Sequence, residues 1–77
     1  MMLLTPEQKD KYDFCRTTLT ELLRKALHNE HYRADYYVTD HRLEFVEVSF
    51  DNEYTICKIN VTGDSLLAMV RDVLRRF

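Results

Sequence analysis

Apolar residues in the first third of the chain return every three or four positions, at Tyr12, Cys15, Leu19, Leu22, Leu23 and Ala26. That spacing draws one stripe along about four turns of an amphipathic helix. Thr5-Pro6-Glu7-Gln8 supplies its start: Thr5 as cap, Pro6 at the first helical position, and Gln8 three residues on for a capping box. The pattern predicts a helix from about Pro6 to His28, with Asn29 as its stop.

From Tyr32 the pattern changes. Tyr32 to Thr39 carries Tyr36, Tyr37 and Val38 at its centre, and Asp40-His41-Arg42 turns the chain. Leu43 to Phe50 and Tyr54 to Val61 are then two runs of β-branched and aromatic residues parted by Asp51-Asn52-Glu53, a hairpin signal. The connections are too short for a parallel crossover, so the three strands form an antiparallel meander. Thr62-Gly63-Asp64-Ser65 ends the last strand, and Asp64 or Ser65 caps a second helix. Its core-facing stripe reads Leu66, Val70, Val73, Leu74 and Phe77.

The elements predict an α+β fold in one domain over residues 1–77, ordered α-β-β-β-α, with both helices on one face of a three-stranded sheet. Ala34, Tyr36, Val38, Val46, Val48, Phe50, Cys57, Ile59 and Val61 are expected on the covered face. A one-residue slip in a turn would exchange the two faces. The uncovered face then carries Tyr37, Phe45, Tyr54 and Ile56 beside Asp35, Glu47 and Lys58. So many aromatic groups on an open sheet point to a partner surface, for a second copy or another protein. Met1–Leu4 lying over that face is the competing arrangement.

Charge adds a location. The net charge is −2 over 77 residues, which argues against a bulk nucleic-acid binder. Between Asp35 and Glu53, however, six acids (Asp35, Asp40, Glu44, Glu47, Asp51, Glu53) face a single base, Arg42. That segment suits a partner with a positive surface. The apolar opening Met1-Met2-Leu3-Leu4 is far shorter than a signal peptide core or a span of about 20 residues, so a cytoplasmic protein without a membrane association is expected. Cys15 and Cys57 are too few for a disulfide scaffold and read as small buried hydrophobes.

Candidate chemistry changes little. His28 and His31 lie three apart, but neither His41 nor Cys57 is placed beside them, so no metal site and no cofactor are expected. Gly63 has no phosphate-loop context, and no nucleophile is spaced from a base and a supporting acid. Glu44 and Glu47 point to opposite faces of a strand and make poor acid–base partners. The residues predict a protein that is not an enzyme.

The stretch Asp51-Asn52-Glu53-Tyr54, a strand, then Asp64-Ser65 and a helix resembles small phage-encoded anti-CRISPR proteins, specifically the α-β-β-β-α inhibitor of the RNA-guided DNA nuclease. The resemblance covers roughly half the chain. In such inhibitors, loop carboxylates and amides occupy arginines that otherwise read two guanines of the target DNA. The resemblance implies that Asp51, Asn52 and Glu53 take that role here, with Asp40 in support, and that the partner is a CRISPR effector nuclease. Two other classes compete: an accessory protein self-associating through its open sheet face, and a single-strand nucleic-acid module stacking bases on Tyr37, Phe45 and Tyr54.

Overall fold

A computed structural model describes residues 3–77; Met1 and Met2, half of the apolar opening, lie outside the described residues. The N-terminal helix comprises α1 (Pro6–Phe14), a π-helical segment (Cys15–Leu19) and α2 (Thr20–Ala26). The capping box forms as the sequence implies: the Gln8 N–H donates to Thr5 Oγ1 at 3.1 Å and the Thr5 N–H to Gln8 Oε1 at 3.0 Å. The helix stops at Ala26 rather than His28. His28 adopts a left-handed conformation (φ 52°) and the Asn29 N–H donates back to the Arg24 carbonyl at 3.0 Å, so the reversal comes one residue before Asn29.

Lys11, Cys15, Leu19, Leu23 and Leu27 form the inward stripe of this helix; the first four are buried and Leu27 packs against the core. Each step is four residues, which on an ideal α-helix overshoots a full turn by about 40°. The wider i→i+5 segment offsets part of that drift and keeps the stripe aimed at the sheet. Leu22 and Ala26, expected on the stripe, are exposed instead.

The sheet holds β1 (Tyr32–Val38), β2 (Glu44–Phe50) and β3 (Tyr54–Asn60) in the order β1-β2-β3, antiparallel throughout. Thr39, Leu43 and Val61 fall just outside the strands. Ala34 opposes Val48 and Tyr36 opposes Val46, which in turn opposes Ile59. Asp51 and Asn52 both have φ 58°, the left-handed pair of a type I′ turn that tightens the second hairpin. One irregularity follows: Val48 faces Cys57 but Ser49 faces Thr55, so Ile56 is an added residue, a β-bulge.

Helix α3 (Leu66–Leu74) is capped by Ser65, whose Oγ accepts the Ala68 N–H at 3.2 Å. Met69 and Val73 carry it onto the same sheet face, joining Cys15, Leu19, Leu23, Ala34, Tyr36, Val46, Val48, Ile59 and Val61 in one buried cluster. Val38 and Cys57 pack against its rim. Phe50, expected inside, is only partly buried and sits against the rings of His31 and Tyr32. The α3 stripe is displaced from the expected one: Leu66, Leu74 and Phe77 are 37%, 37% and 47% exposed, while Met69 is buried.

Candidate partner-binding surfaces

Among the described residues no helix lies over the second face of the sheet, because both pack on the first. Alternation along the strands puts Arg33, Asp35, Tyr37, Phe45, Glu47 and Lys58 on this open face. Tyr37 and Phe45 are cross-strand partners with stacked rings, centroids 5.8 Å apart at 23°. Beside them Asp35 and Glu47 oppose one another directly. Each carboxylate has its own cation, Arg33 Nε at 3.1 Å from Asp35 Oδ2 and Lys58 Nζ at 3.9 Å from Glu47 Oε2. The Thr55 hydroxyl also donates to Glu47 at 2.8 Å. These cations balance the acids that the sequence suggested would dominate here. The face is therefore an aromatic pair set against a neutralised charge ladder, suited to stacking and directional hydrogen bonding.

Tyr54 is moved off this surface by the bulge. It opposes Phe50, which opposes Tyr32, so it belongs to the helix-covered side and projects 65% exposed at the sheet's end. Ile56, 45% exposed, is the added residue of the bulge on the β3 edge and has no cross-strand partner.

The acidic turns are not brought together. Asp40 sits in the β1–β2 turn and Asp51, Asn52 and Glu53 in the β2–β3 turn, at opposite ends of β2, roughly 20 Å apart for a seven-residue strand. At the second tip, Asp51 Oδ1 lies 2.5 Å from His31 Nδ1 and the Arg33 guanidinium donates to Asn52 Oδ1 at 3.3 Å. Asp40 and Glu53 are exposed and make no ion pair among the described residues.

The most densely bonded polar group is one the sequence reading dismissed. Glu44 is buried at the start of β2. Its Oε1 accepts from Lys11 Nζ at 2.8 Å and from the Tyr36 hydroxyl, and its Oε2 accepts the Gly63 N–H at 2.7 Å. Its backbone N–H and C=O engage Thr62 Oγ1 and the Val61 N–H. Burial alone would raise the Glu44 carboxyl, but the bonds from Lys11, Tyr36 and Gly63 outweigh it and hold the group below its ordinary value. Burial, then the bond to Glu44, pushes the Tyr36 phenol far up, and burial beside Asp35 pushes the Cys15 thiol up to about 12. Both stay protonated at neutral pH. One carboxylate thus ties α1, β1, β2 and the β3–α3 loop together. Its signal was present in the spacing, since Lys11 stands four residues before Cys15 on the buried stripe.

Near this cluster Asp64 Oδ2 is buried with no N–H or O–H donor among the described residues. Hydrogen bonding with Asp72, then burial, raises Asp64, while Asp72 is lowered by the same contact and by Arg71.

An open groove of about 780 Å³ runs along the outer side of the N-terminal helix, lined by Arg16, Thr17, Glu21, Arg24, Lys25 and Arg33 among others. Three of its cations are engaged: Arg16 Nη1 donates to the Tyr12 hydroxyl at 2.7 Å, Arg24 Nε donates to the Tyr32 carbonyl at 2.9 Å and Arg33 pairs with Asp35. The groove also lies apart from the stacked rings, so bases and aromatics do not form one nucleic-acid track. Among the described residues, no three His, Cys, Asp or Glu side chains converge as metal ligands, and no helix is long and apolar enough to cross a membrane.

No protein-family model, curated protein or solved structure matches the chain.

Proposed function

We propose that this α+β domain is a binding module that engages another protein through the uncovered face of its sheet. The observation that carries the reading is the stacked Tyr37–Phe45 pair, held on a face over which no helix packs. Aromatic anchors of this kind dominate binding energy at interfaces. Glu47 borders the pair, and the balanced charges around it favour a partner surface of mixed polarity. The β2–β3 tip adds a second contact. There Glu53 is exposed and without an ion-pair partner among the described residues, available to a basic group.

The partner that the resemblance suggests is an RNA-guided nuclease, with Asp51, Asn52 and Glu53 meeting its DNA-reading arginines. Two experiments separate the broad reading from this narrow one. A photoreactive phenylalanine in place of Tyr37, compared with one in place of Arg75, reports whether partners contact the sheet face in cells. Adducts from position 37 support the module; adducts from position 75 alone refute it. Separately, the chain is titrated against type II CRISPR nucleases in a DNA-cleavage assay. Inhibition that Asp51→Ala with Glu53→Ala weakens by roughly 30-fold or more supports the nuclease as target. Absence of inhibition removes that target and leaves the sheet-face reading to the crosslinking result.

A further inference from the structure

The two edges of the sheet are treated differently. On the β1 edge, the Ala34 N–H donates to Thr20 Oγ1 at 3.1 Å, the same hydroxyl lies 3.3 Å from the Ala34 carbonyl, and Arg24 bonds the Tyr32 carbonyl. The N-terminal helix therefore closes that edge to further pairing. The β3 edge has no such cover among the described residues. The Val61 N–H points to β2, donating to the Glu44 carbonyl at 2.9 Å. Strand alternation then turns the N–H and C=O groups of Asn60 and Lys58 outward.

An apolar helix flank accompanies this open edge. Leu66, Val70, Leu74 and Phe77, at i, i+4, i+8 and i+11, lie to one side of the buried Met69–Val73 pair. Asp72, on the opposite side of α3, meets Asp64 near Lys11, which turns the apolar flank away from the N-terminal helix and toward β3. Tyr54 and Ile56 extend the patch at the strand's other end.

We infer that the β3 edge and the α3 flank form a two-fold interface with a second copy of this chain. A strand edge with an apolar helix beside it demands a partner offering both, and this chain presents that same pair. A two-fold axis places β3 antiparallel to its mate, completing the outward backbone bonds and giving a six-stranded sheet. It also sets the two α3 helices antiparallel, with opposed dipoles. The area is adequate. At the exposures of Tyr54, Ile56, Leu66, Leu74 and Phe77, the side chains supply on the order of 400 Å² at about 150–250 Å² for a large side chain. The seven-residue strand backbone brings this toward the roughly 800 Å² per partner of a stable dimer. The open face with Tyr37 and Phe45 remains free, doubled across the dimer, so this interface is independent of the proposed partner surface.

Sedimentation velocity of the full chain over a roughly hundredfold concentration range tests it. The wild type should sediment as a dimer of the 9.3 kDa chain. Leu74→Glu places a carboxylate in the apolar seam and should raise the dissociation constant at least about tenfold. Lys58→Pro removes an outward N–H without touching a backbone bond to β2, at the loss of the Lys58 ion pair with Glu47, and should do the same; if it does not fold by circular dichroism, Leu74→Glu decides. Tyr37→Ser should leave the dimer intact. A monomer at every concentration, a dimer indifferent to Leu74→Glu, or a dimer lost in Tyr37→Ser alone overturns the inference.

Discussion

Replacing Lys11 with Met tests how much of the fold hangs on one buried ion pair. Lys11 is 3% exposed and its ammonium lies 2.8 Å from Glu44 Oε1. Methionine retains most of the stem's packing volume, so the change removes charge rather than creating a large cavity. Breaking a buried pair by deleting one partner costs about 3–5 kcal/mol, because the other charge is stranded away from water. Glu44 keeps the Tyr36 hydroxyl and the Gly63 N–H, which places the expected loss near the lower bound, about 3 kcal/mol. A domain of 77 residues has a total stability of roughly 4–12 kcal/mol, so the variant should melt more than about 10 °C lower. Urea unfolding at neutral pH, followed by circular dichroism, measures it. The pH dependence gives an internal check. The folded Glu44 carboxyl lies below its ordinary value of 4.5. Its stabilisation is therefore present above about pH 4.5 and is lost as the pH falls through the folded value. The gap between wild type and Lys11→Met should narrow over the same acid window, since a protonated Glu44 no longer needs the ammonium. A difference below about 0.5 kcal/mol at neutral pH would refute the assignment of Lys11 to a structural pair.

Leu19→Ala should destabilise by about 2–4 kcal/mol in urea melts while Leu22→Ala, on the exposed side of the same helix, stays within about 0.5 kcal/mol; equal losses would mean the helix faces are misassigned. Thr20→Val orphans the Ala34 N–H on the β1 edge and should cost about 1–3 kcal/mol, with faster hydrogen exchange at Ala34 as its local signature. Phe45→Ser should abolish crosslinking from position 37 with the fold retained; loss of folding instead would assign the stacked pair to structure rather than recognition.

Fold class, strand order and helix starts were legible because each rests on local chemistry: a capping box at Thr5, a turn at Asp51-Asn52, a serine cap at Ser65. The errors have physical sources. Tyr54 changed faces because a bulge at Ile56 breaks the two-residue period, and nothing in the run Tyr54–Val61 marks where an extra residue will be accommodated. Leu66, Leu74 and Phe77 were expected inside because α3 is apolar over a wider arc than a three-stranded sheet can cover, and hydrophobicity does not say which half of such an arc docks. Glu44 was counted among the acids open to a partner and its pairing with Lys11 was not foreseen, since burial of a charged pair depends on two segments 33 residues apart meeting. Of the residues expected at a partner surface, Tyr37, Phe45 and Glu47 share the open face, whereas Asp40 and the Asp51–Glu53 tip are kept at opposite ends by the meander.

The π-helical segment makes the N-terminal helix a splice of two registers. Ahead of it, Lys11 is indexed to Glu44; behind it, Thr20 and Leu23 are indexed to β1 and the core. Deleting a single residue among Arg16, Thr17 and Thr18 would restore an unbroken i→i+4 helix. It would also rotate every side chain on the N-terminal side by about 100° relative to the sheet, swinging Lys11 out of the Glu44 cluster while Thr20 still closed the β1 edge. A length change in this segment is thus read out at the Lys11–Glu44 pair, and a homologue lacking the extra residue would need a different partner for Glu44.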